Sequence, residues 1–417
     1  MNITITPSKL KGQVRIPPSK SLAHREIICA SLSEGESRIE NLAYSDDIIA
    51  TIRCMRALGA CIKDNPDNID VKGNSQKSDS YIVFDCNESG STLRFMLPIA
   101  IVLNQGKNKF VGRGKLGTRP MYIYKRICQS QGIEYVDDSD KNPEHFLDLT
   151  VQGRLKNGDF YVDGGVSSQF ISGLLFALPL LDGDSRIIIE GELQSASYLN
   201  LTLSALKEYG IDVEKEGNII FVKGNQMYLC HDSYIEGDYS QSAFFEVANY
   251  LGSDVEILGL NKESLQGDRV IVDFLEKLRQ ADKSEELVFD GGDCPDIIPV
   301  FALACCLRKG KTRIVNISRL RIKECDRLKA TVEELKKLGA DIEEFGDSML
   351  IMGVSKLKGG KTDSHKDHRM AMMLAIASTV CEKEVEIKDS ECISKSYPDF
   401  YEDFKKLGGK IQNTEEV

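Results

Sequence analysis

The stretch PPSKSLAHR, residues 17–25, carries side chains that suit an anion. Ser19 is a good helix N-cap, and the apolar spacing of Leu22, Ile27 and Ile28 predicts a helix beginning at Lys20. A lysine there opposes the helix macrodipole at a cost of about 0.3 to 1 kcal/mol, so something negative should answer it. Free backbone N–H groups, the Ser21 hydroxyl, Lys20 and Arg25, which shares a face with Ser21, would form a cradle for phosphate or carboxylate. Taken alone, the stretch reads equally well as a capped surface helix with a solvated lysine.

A second group of residues suits proton transfer. In LRIKECDRL, residues 320–328, helical spacing puts Lys323 and Arg327 on one face. Such a like-charge pair costs about 0.2 to 0.5 kcal/mol unless an anion lies between. Glu324 beside them is a candidate proton carrier. In DGGDCPDIIP, residues 290–299, Asp296 follows a proline at the start of an apolar helix, where it is either a cap or an acceptor for a hydroxyl proton. Arg369 in DHR, Lys395 in SKSYPDF and Arg119 between Thr118 and Pro120 add cations beside turns or helix starts.

One motif misleads. GRGKLG, residues 112–117, matches a dinucleotide fingerprint, with Asp137 at about the 20-residue distance of the ribose-binding acid. Arg113 and Lys115 crowd that loop, Pro120 delays the helix, and the same helix and strand pattern recurs without the glycines. Two GKT triplets, at Gly310 and Gly360, have Cys305 and Ser355 where a P-loop needs its upstream glycine.

The elements that must hold these residues repeat. An amphipathic helix that stops at a glycine and runs into a strand recurs with Gly59, Gly132, Gly210, Gly339 and Gly408 as the stops, and VDFLEKLRQAD is a degenerate sixth copy without the glycine. The spacing suits a βαβαββ unit better than a solenoid repeat. Between these helices lie others that are apolar nearly all round, as buried helices are. They begin SKSLAHR, ESGSTLRF, SSQFISGLL, SQSAFFEVA, CPDIIPVFALA and DHRMAMMLA. Polar starts on apolar helices would give converging positive dipole ends.

Composition sets the frame. A chain of 417 residues exceeds one ordinary core, which predicts two domains. A formal charge of −11 argues against general nucleic-acid binding, which needs a basic face. The longest apolar run, residues 95–103, contains Pro98 and cannot span a membrane. The twelve cysteines show neither C-x-x-C nor metal-ligand spacing, and the first residues alternate like strands with no apolar signal core. Reduced core thiols and a cytoplasmic location are the expectation.

Nine stretches, PPSKSLAHR, SGSTLRF, GTRP, SSQF, SASYLNLT, CPD, RIKECDRL, DHRMAM and SKSYPDF, stand in the order and approximate spacing of the 5-enolpyruvylshikimate-3-phosphate synthase family, which the chain resembles over essentially its whole length. The resemblance implies a two-domain inside-out α/β barrel with three βαβαββ repeats per domain. The first domain would cover residues 19–236, and residues 1–18 plus 237–417 would form the second. The implied reaction moves the enolpyruvyl group of phosphoenolpyruvate to the 5-hydroxyl of shikimate 3-phosphate and releases phosphate, with no cofactor and no metal.

Carried over by position, the resemblance makes Lys20, Ser21, Arg25, Ser167, Ser168, Gln169, Ser195, Tyr198, Asp296 and Lys323 ligands of shikimate 3-phosphate. Lys20, Gly90, Arg119, Gln169, Arg327, Arg369 and Lys395 would bind phosphoenolpyruvate. Asp296 would take the hydroxyl proton, Glu324 would protonate the methylene carbon, and Lys323 and Lys20 complete the catalytic set. Glyphosate is implied as an inhibitor at the phosphoenolpyruvate site. Glu88, Ser89 and Phe95 depart from the commonest pattern and bear on how well it binds, while Arg319 and Arg321 are cations without a role. A monomer with no nucleic-acid or membrane partner is expected. The alternative, the related transferase acting on UDP-N-acetylglucosamine, carries a reactive cysteine ahead of the arginine, where this chain has GRGKLGTRP.

Overall fold

The computed structural model describes residues 1–141, 144–282 and 285–414. The chain forms two compact units, Pro18–Ile235 and the pair of segments Met1–Pro17 and Glu236–Val417. Each has its own apolar core.

In the unit Pro18–Ile235 the helices are α1 (Lys20–Leu32), α2 (Asp46–Ala57), α3 (Gly90–Leu103), α4 (Tyr122–Ser130), α5 (Ser168–Ala177) and α6 (Ala196–Glu208). Three four-stranded sheets accompany them. Their strands run in the order Ser233–Tyr234, Glu36–Glu40, Asn68–Lys72, Cys61–Asp64, then Ile82–Asp85, Lys107–Val111, Asp148–Gln152, Glu134–Asp137, then Asp159–Asp163, Ser185–Glu190, Ile219–Val222, Val213–Glu216. In each sheet the first pair is parallel and the others antiparallel; in the second and third a βαβ crossover followed by a second helix and a hairpin produces this, while in the first the parallel partner Ser233–Tyr234 comes from the end of the unit. Strand residues alternate between faces: Phe160 and Val162 are buried while Tyr161 between them is exposed. Helices α3 and α5, apolar nearly all round, are buried except at Ser91 and Gln169 near their starts.

In the other unit the helices are α7 (Tyr239–Tyr250), α8 (Ile271–Gln280), α9 (Ile298–Cys306), α10 (Arg327–Lys337), α11 (His368–Ser378) and α12 (Phe400–Lys406). Two sheets repeat the same pattern, and in one of them the N-terminal strand Asn2–Thr6 supplies a hairpin member between Val385–Lys388 and Lys410–Thr414. Among the described residues the sixth copy shows a parallel pair, Lys11–Arg15 with Asp254–Leu258. A local cause is visible at the end of α8. The five glycine stops all have positive φ, from 69° at Gly132 to 100° at Gly59, which turns the chain back from the helix toward a strand. Ala281, in the degenerate copy, is extended instead. Among the described residues no helix is long and apolar enough to cross a membrane.

Candidate active site

In the unit Pro18–Ile235, α1 starts where expected, with Ser19 Oγ accepting from Leu22 N at 3.5 Å. Lys20 Nζ donates to Asp47 Oδ2 at 2.7 Å, and Asp47 lies in the first turn of α2. The anion answering this helix-start lysine thus includes a carboxylate of the chain itself, which the sequence reading missed. Its signal was present in SDD at residues 45–47, a cap followed by acids.

Arg25 is buried. Its guanidinium donates to Ser21 O, to Tyr198 O at 2.8 Å and to Thr202 Oγ1 at 2.9 Å, and it lies over the Phe95 ring. Ser21, Arg25 and Tyr198 are therefore brought together, and burial draws the Arg25 pKa down to about 10. Thr202, the last residue of SASYLNLT, joins this cluster although the sequence reading gives it no role.

Gly90 opens α3, whose cap Ser89 accepts from Thr92 N at 3.2 Å. A Cβ on Gly90 would lie 2.4 Å from Arg119 Nη1, so Arg119 passes directly over the glycine. Glu88 lies against Gly114, which turns at φ 55° inside GRGKLG. That loop continues into a short 3-10 turn, Leu116–Thr118, that delivers Arg119, in place of the helix a dinucleotide site would need. Arg94 donates to Gln169 Oε1 at 2.8 Å and Gln169 Nε2 donates to Ser91 Oγ at 2.8 Å. Ser167 caps α5 and accepts from Gln169 N at 3.3 Å, with Ser168 next to it, both buried. Ser195, ahead of α6, is left-handed at φ 57°, a conformation that costs a non-glycine residue about 1 to 3 kcal/mol and gathers at functional sites.

The other unit builds an ion cluster. Asp296 Oδ1 accepts from Arg327 Nη1 at 2.9 Å and faces Lys323 Nζ at 3.6 Å, and its Oδ2 lies 3.3 Å from Arg369 Nη2. Arg327, almost wholly buried, also binds Glu324 Oε2 at 2.6 Å and, through Nε, Asp367 Oδ2 at 2.9 Å. Arg369 donates to Ser240 O and Ser240 Oγ at 2.9 and 2.7 Å. Lys395 Nζ donates to Lys366 O at 3.1 Å.

Two local expectations are corrected. Lys323 and Glu324 are not on a helix: a 3-10 turn covers Ser318–Ile322, α10 begins at Arg327, and Asp326 caps it by accepting from Lys329 N. With Asp326 as its cap α10 starts only at Arg327, so Lys323 and Arg327 meet through Asp296 rather than along a helical face. Asp296 itself lies in the turn ahead of α9, which starts only at Ile298. Arg321 gains a structural role through ion pairs with Asp326 and Glu344, both at 3.0 Å.

Electrostatics follow from this crowding. Burial alone would raise the Asp296 carboxyl, but Lys323, Arg369 and Arg327 outweigh it and hold the acid well below its usual range. Burial lowers the Lys323 ammonium to about 8, assisted by Arg319 and Arg327 and opposed by Asp296. Asp296 and Lys323 still expose about a quarter of their side chains, so solvent reaches groups that are densely surrounded. Asp296 is thus ionised, its proton affinity held down by the cations around it, beside a lysine lowered to about 8.

The solved EPSP synthase of Acinetobacter baumannii matches this fold with a TM-score of 0.79 at 20% identity, over 99% of this chain and 100% of that one. The architecture is the two-domain inside-out α/β fold. A family model described as EPSP synthase (3-phosphoshikimate 1-carboxyvinyltransferase) matches residues 5–404. A 3-phosphoshikimate 1-carboxyvinyltransferase of Clostridium botulinum (strain Alaska E43 / Type E3) is 53% identical, covering 98% of this chain and 97% of that protein. One from Clostridioides difficile (strain 630) is 50% identical, covering 98% of each. The chain belongs to the EPSP synthase family.

Proposed function

We propose that this chain transfers the enolpyruvyl group of phosphoenolpyruvate to the 5-hydroxyl of shikimate 3-phosphate, releasing phosphate. The observation that carries the reading is the meeting of Lys323, Arg327 and Arg369 on one ionised carboxylate, Asp296, with Glu324 one residue from Lys323. The names of the relatives favour this acceptor over UDP-N-acetylglucosamine.

In this proposal Asp296 takes the 5-hydroxyl proton as that oxygen bonds to C2 of phosphoenolpyruvate, and Glu324 delivers a proton to C3. A tetrahedral adduct results. Removal of a proton from the C3 methyl then re-forms the double bond as the C2–O bond to phosphate breaks. Two carboxyl groups in different surroundings can divide these tasks.

Lys20, Gly90, Arg119, Gln169, Arg327, Arg369 and Lys395 bind phosphoenolpyruvate in this reading, the cations answering its phosphate and carboxylate. Lys20, Ser21, Arg25, Ser167, Ser168, Gln169, Ser195, Tyr198, Asp296 and Lys323 bind shikimate 3-phosphate. The units Pro18–Ile235 and Met1–Pro17 with Glu236–Val417 serve as its two domains. We further propose a cytoplasmic monomer inhibited by glyphosate at the phosphoenolpyruvate site.

Phosphate release is the test. It is expected to require both phosphoenolpyruvate and shikimate 3-phosphate and to be absent when UDP-N-acetylglucosamine replaces the latter. Release with UDP-N-acetylglucosamine, or with phosphoenolpyruvate alone, would overturn the assignment.

A further inference from the structure

Three of the cations assigned above to phosphoenolpyruvate depend on one short segment, residues 363–367. Asp367, at its end, caps α11 by accepting from Arg369 N at 2.8 Å and holds Arg327 Nε at 2.9 Å. Lys366 O accepts from Lys395 Nζ at 3.1 Å. Yet the segment is in an unfavourable conformation. His365 and Lys366 are successive non-glycine residues with φ 53° and 56°. Left-handed backbone is disfavoured for side chains with a Cβ, and it is normally visited by single residues. Something must hold the pair there.

The holding contacts come from α10. Glu334 is fully buried, with no exposed side-chain surface, although it carries a carboxylate. Its Oε1 meets His365 Nε2 at 2.8 Å and Lys337 Nζ at 2.7 Å, and its Oε2 accepts from Asp363 N at 3.0 Å. Asp363 Oδ1 in turn accepts from His365 N at 2.7 Å, and Ser364 Oγ accepts from Lys366 N at 3.1 Å. The first and third residues of the segment are thus fastened to the helix whose first residue is Arg327. Glu333 also lies near, its carboxylate within 4.8 Å of the Glu334 and His365 ligand atoms. The Glu334 oxygens, however, are already engaged by three donors, which fits a fastening better than a metal site.

We propose that Glu334 and His365 are positioning residues for phosphoenolpyruvate. By holding the left-handed turn at His365 and Lys366, they set Asp367, Arg369 and the Lys366 carbonyl, and through these the Arg327, Arg369 and Lys395 head groups. Neither residue touches the reacting atoms. The inference rests on the function proposed above, and it assigns the two residues to one substrate rather than to stability alone.

His365→Asn tests it best, because asparagine tolerates left-handed backbone but is too short to reach Glu334. In steady-state phosphate release, KM for phosphoenolpyruvate is expected to rise about tenfold, the worth of one charge-assisted hydrogen bond, with KM for shikimate 3-phosphate within about twofold of wild type. Glu334→Ala should do the same or more, and Glu334→Gln, which keeps an acceptor, should lie between. Amide hydrogen exchange at residues 367–369 should accelerate in His365→Asn.

Unchanged KM for phosphoenolpyruvate in folded His365→Asn would overturn the inference, as would an equal rise in both KM values with a lower Tm. If wild type itself releases no phosphate, the functional reading fails. Exchange at residues 367–369 then decides the fastening, and unchanged protection there would overturn it.

Discussion

The two units share a repeat and a way of starting buried helices, but the buried arginines Arg25 and Arg327 meet different partners. In Pro18–Ile235 the buried guanidinium groups of Arg25 and Arg94 donate to uncharged acceptors: Ser21 O, Tyr198 O and Thr202 Oγ1 for Arg25, Gln169 Oε1 and Pro120 O for Arg94. In the other unit Asp296, Glu324 and Asp367 surround Arg327 within 2.6 to 2.9 Å. Carbonyl and hydroxyl partners fix a guanidinium without cancelling its charge, which suits holding an anion. Carboxylate partners shift one another's proton affinities, which suits proton transfer. In the proposed reaction Arg25 would serve to hold an anion, and the carboxylates around Arg327 would serve proton transfer.

The sharpest challenge to this contrast is Asp296→Asn, which keeps the shape and removes the proton acceptor. Turnover is expected to fall about 10²- to 10⁴-fold, the range of a lost general base. A loss below tenfold would remove Asp296 from the chemistry. Arg327→Ala should act on stability too, because it strands buried carboxylates. We expect a loss of about 3 to 5 kcal/mol in denaturant unfolding. Arg25→Ala, with uncharged partners, should cost clearly less stability and instead raise KM for shikimate 3-phosphate. Equal destabilisation by the two changes would mean that the halves do not differ as described.

Gly90→Ala probes the anion-holding half by displacing Arg119, since the added carbon would stand 2.4 Å from its Nη1. KM for phosphoenolpyruvate should rise about tenfold with kcat less affected, the signature of lost ground-state binding. An unaltered KM would show that Arg119 can move aside without consequence.

The smallest effect concerns pH. Lys323 loses its charge as pH rises through about 8. Turnover should decline on that alkaline limb, and Lys323→Arg, which stays charged, should move the limb upward. The stability effect has the opposite sign. An unfolded lysine keeps its proton up to 10.5, so between about 8 and 10.5 the unfolded chain binds more protons and this residue's contribution to stability rises with pH. A wild-type profile flat through pH 8 to 9 would contradict a role for the Lys323 charge in turnover.

Much of this protein was determined within short stretches of chain. The glycine stops at Gly59, Gly132, Gly210, Gly339 and Gly408, the caps Ser19 and Ser167, and the apolar helices behind them depend on contacts a few residues apart, which spacing reports directly. What spacing could not report is which charge meets which. Lys20 finds Asp47, Arg94 finds Gln169 across 75 positions, and Arg369 finds Asp296 across 73. Lys323, placed on a helix by its spacing, leaves it because Asp326 caps α10, and joins Arg327 through Asp296 instead. Electrostatic energy depends on distance and burial in three dimensions, so the proton affinities that make Asp296 and Lys323 useful exist only once the chain has closed around them.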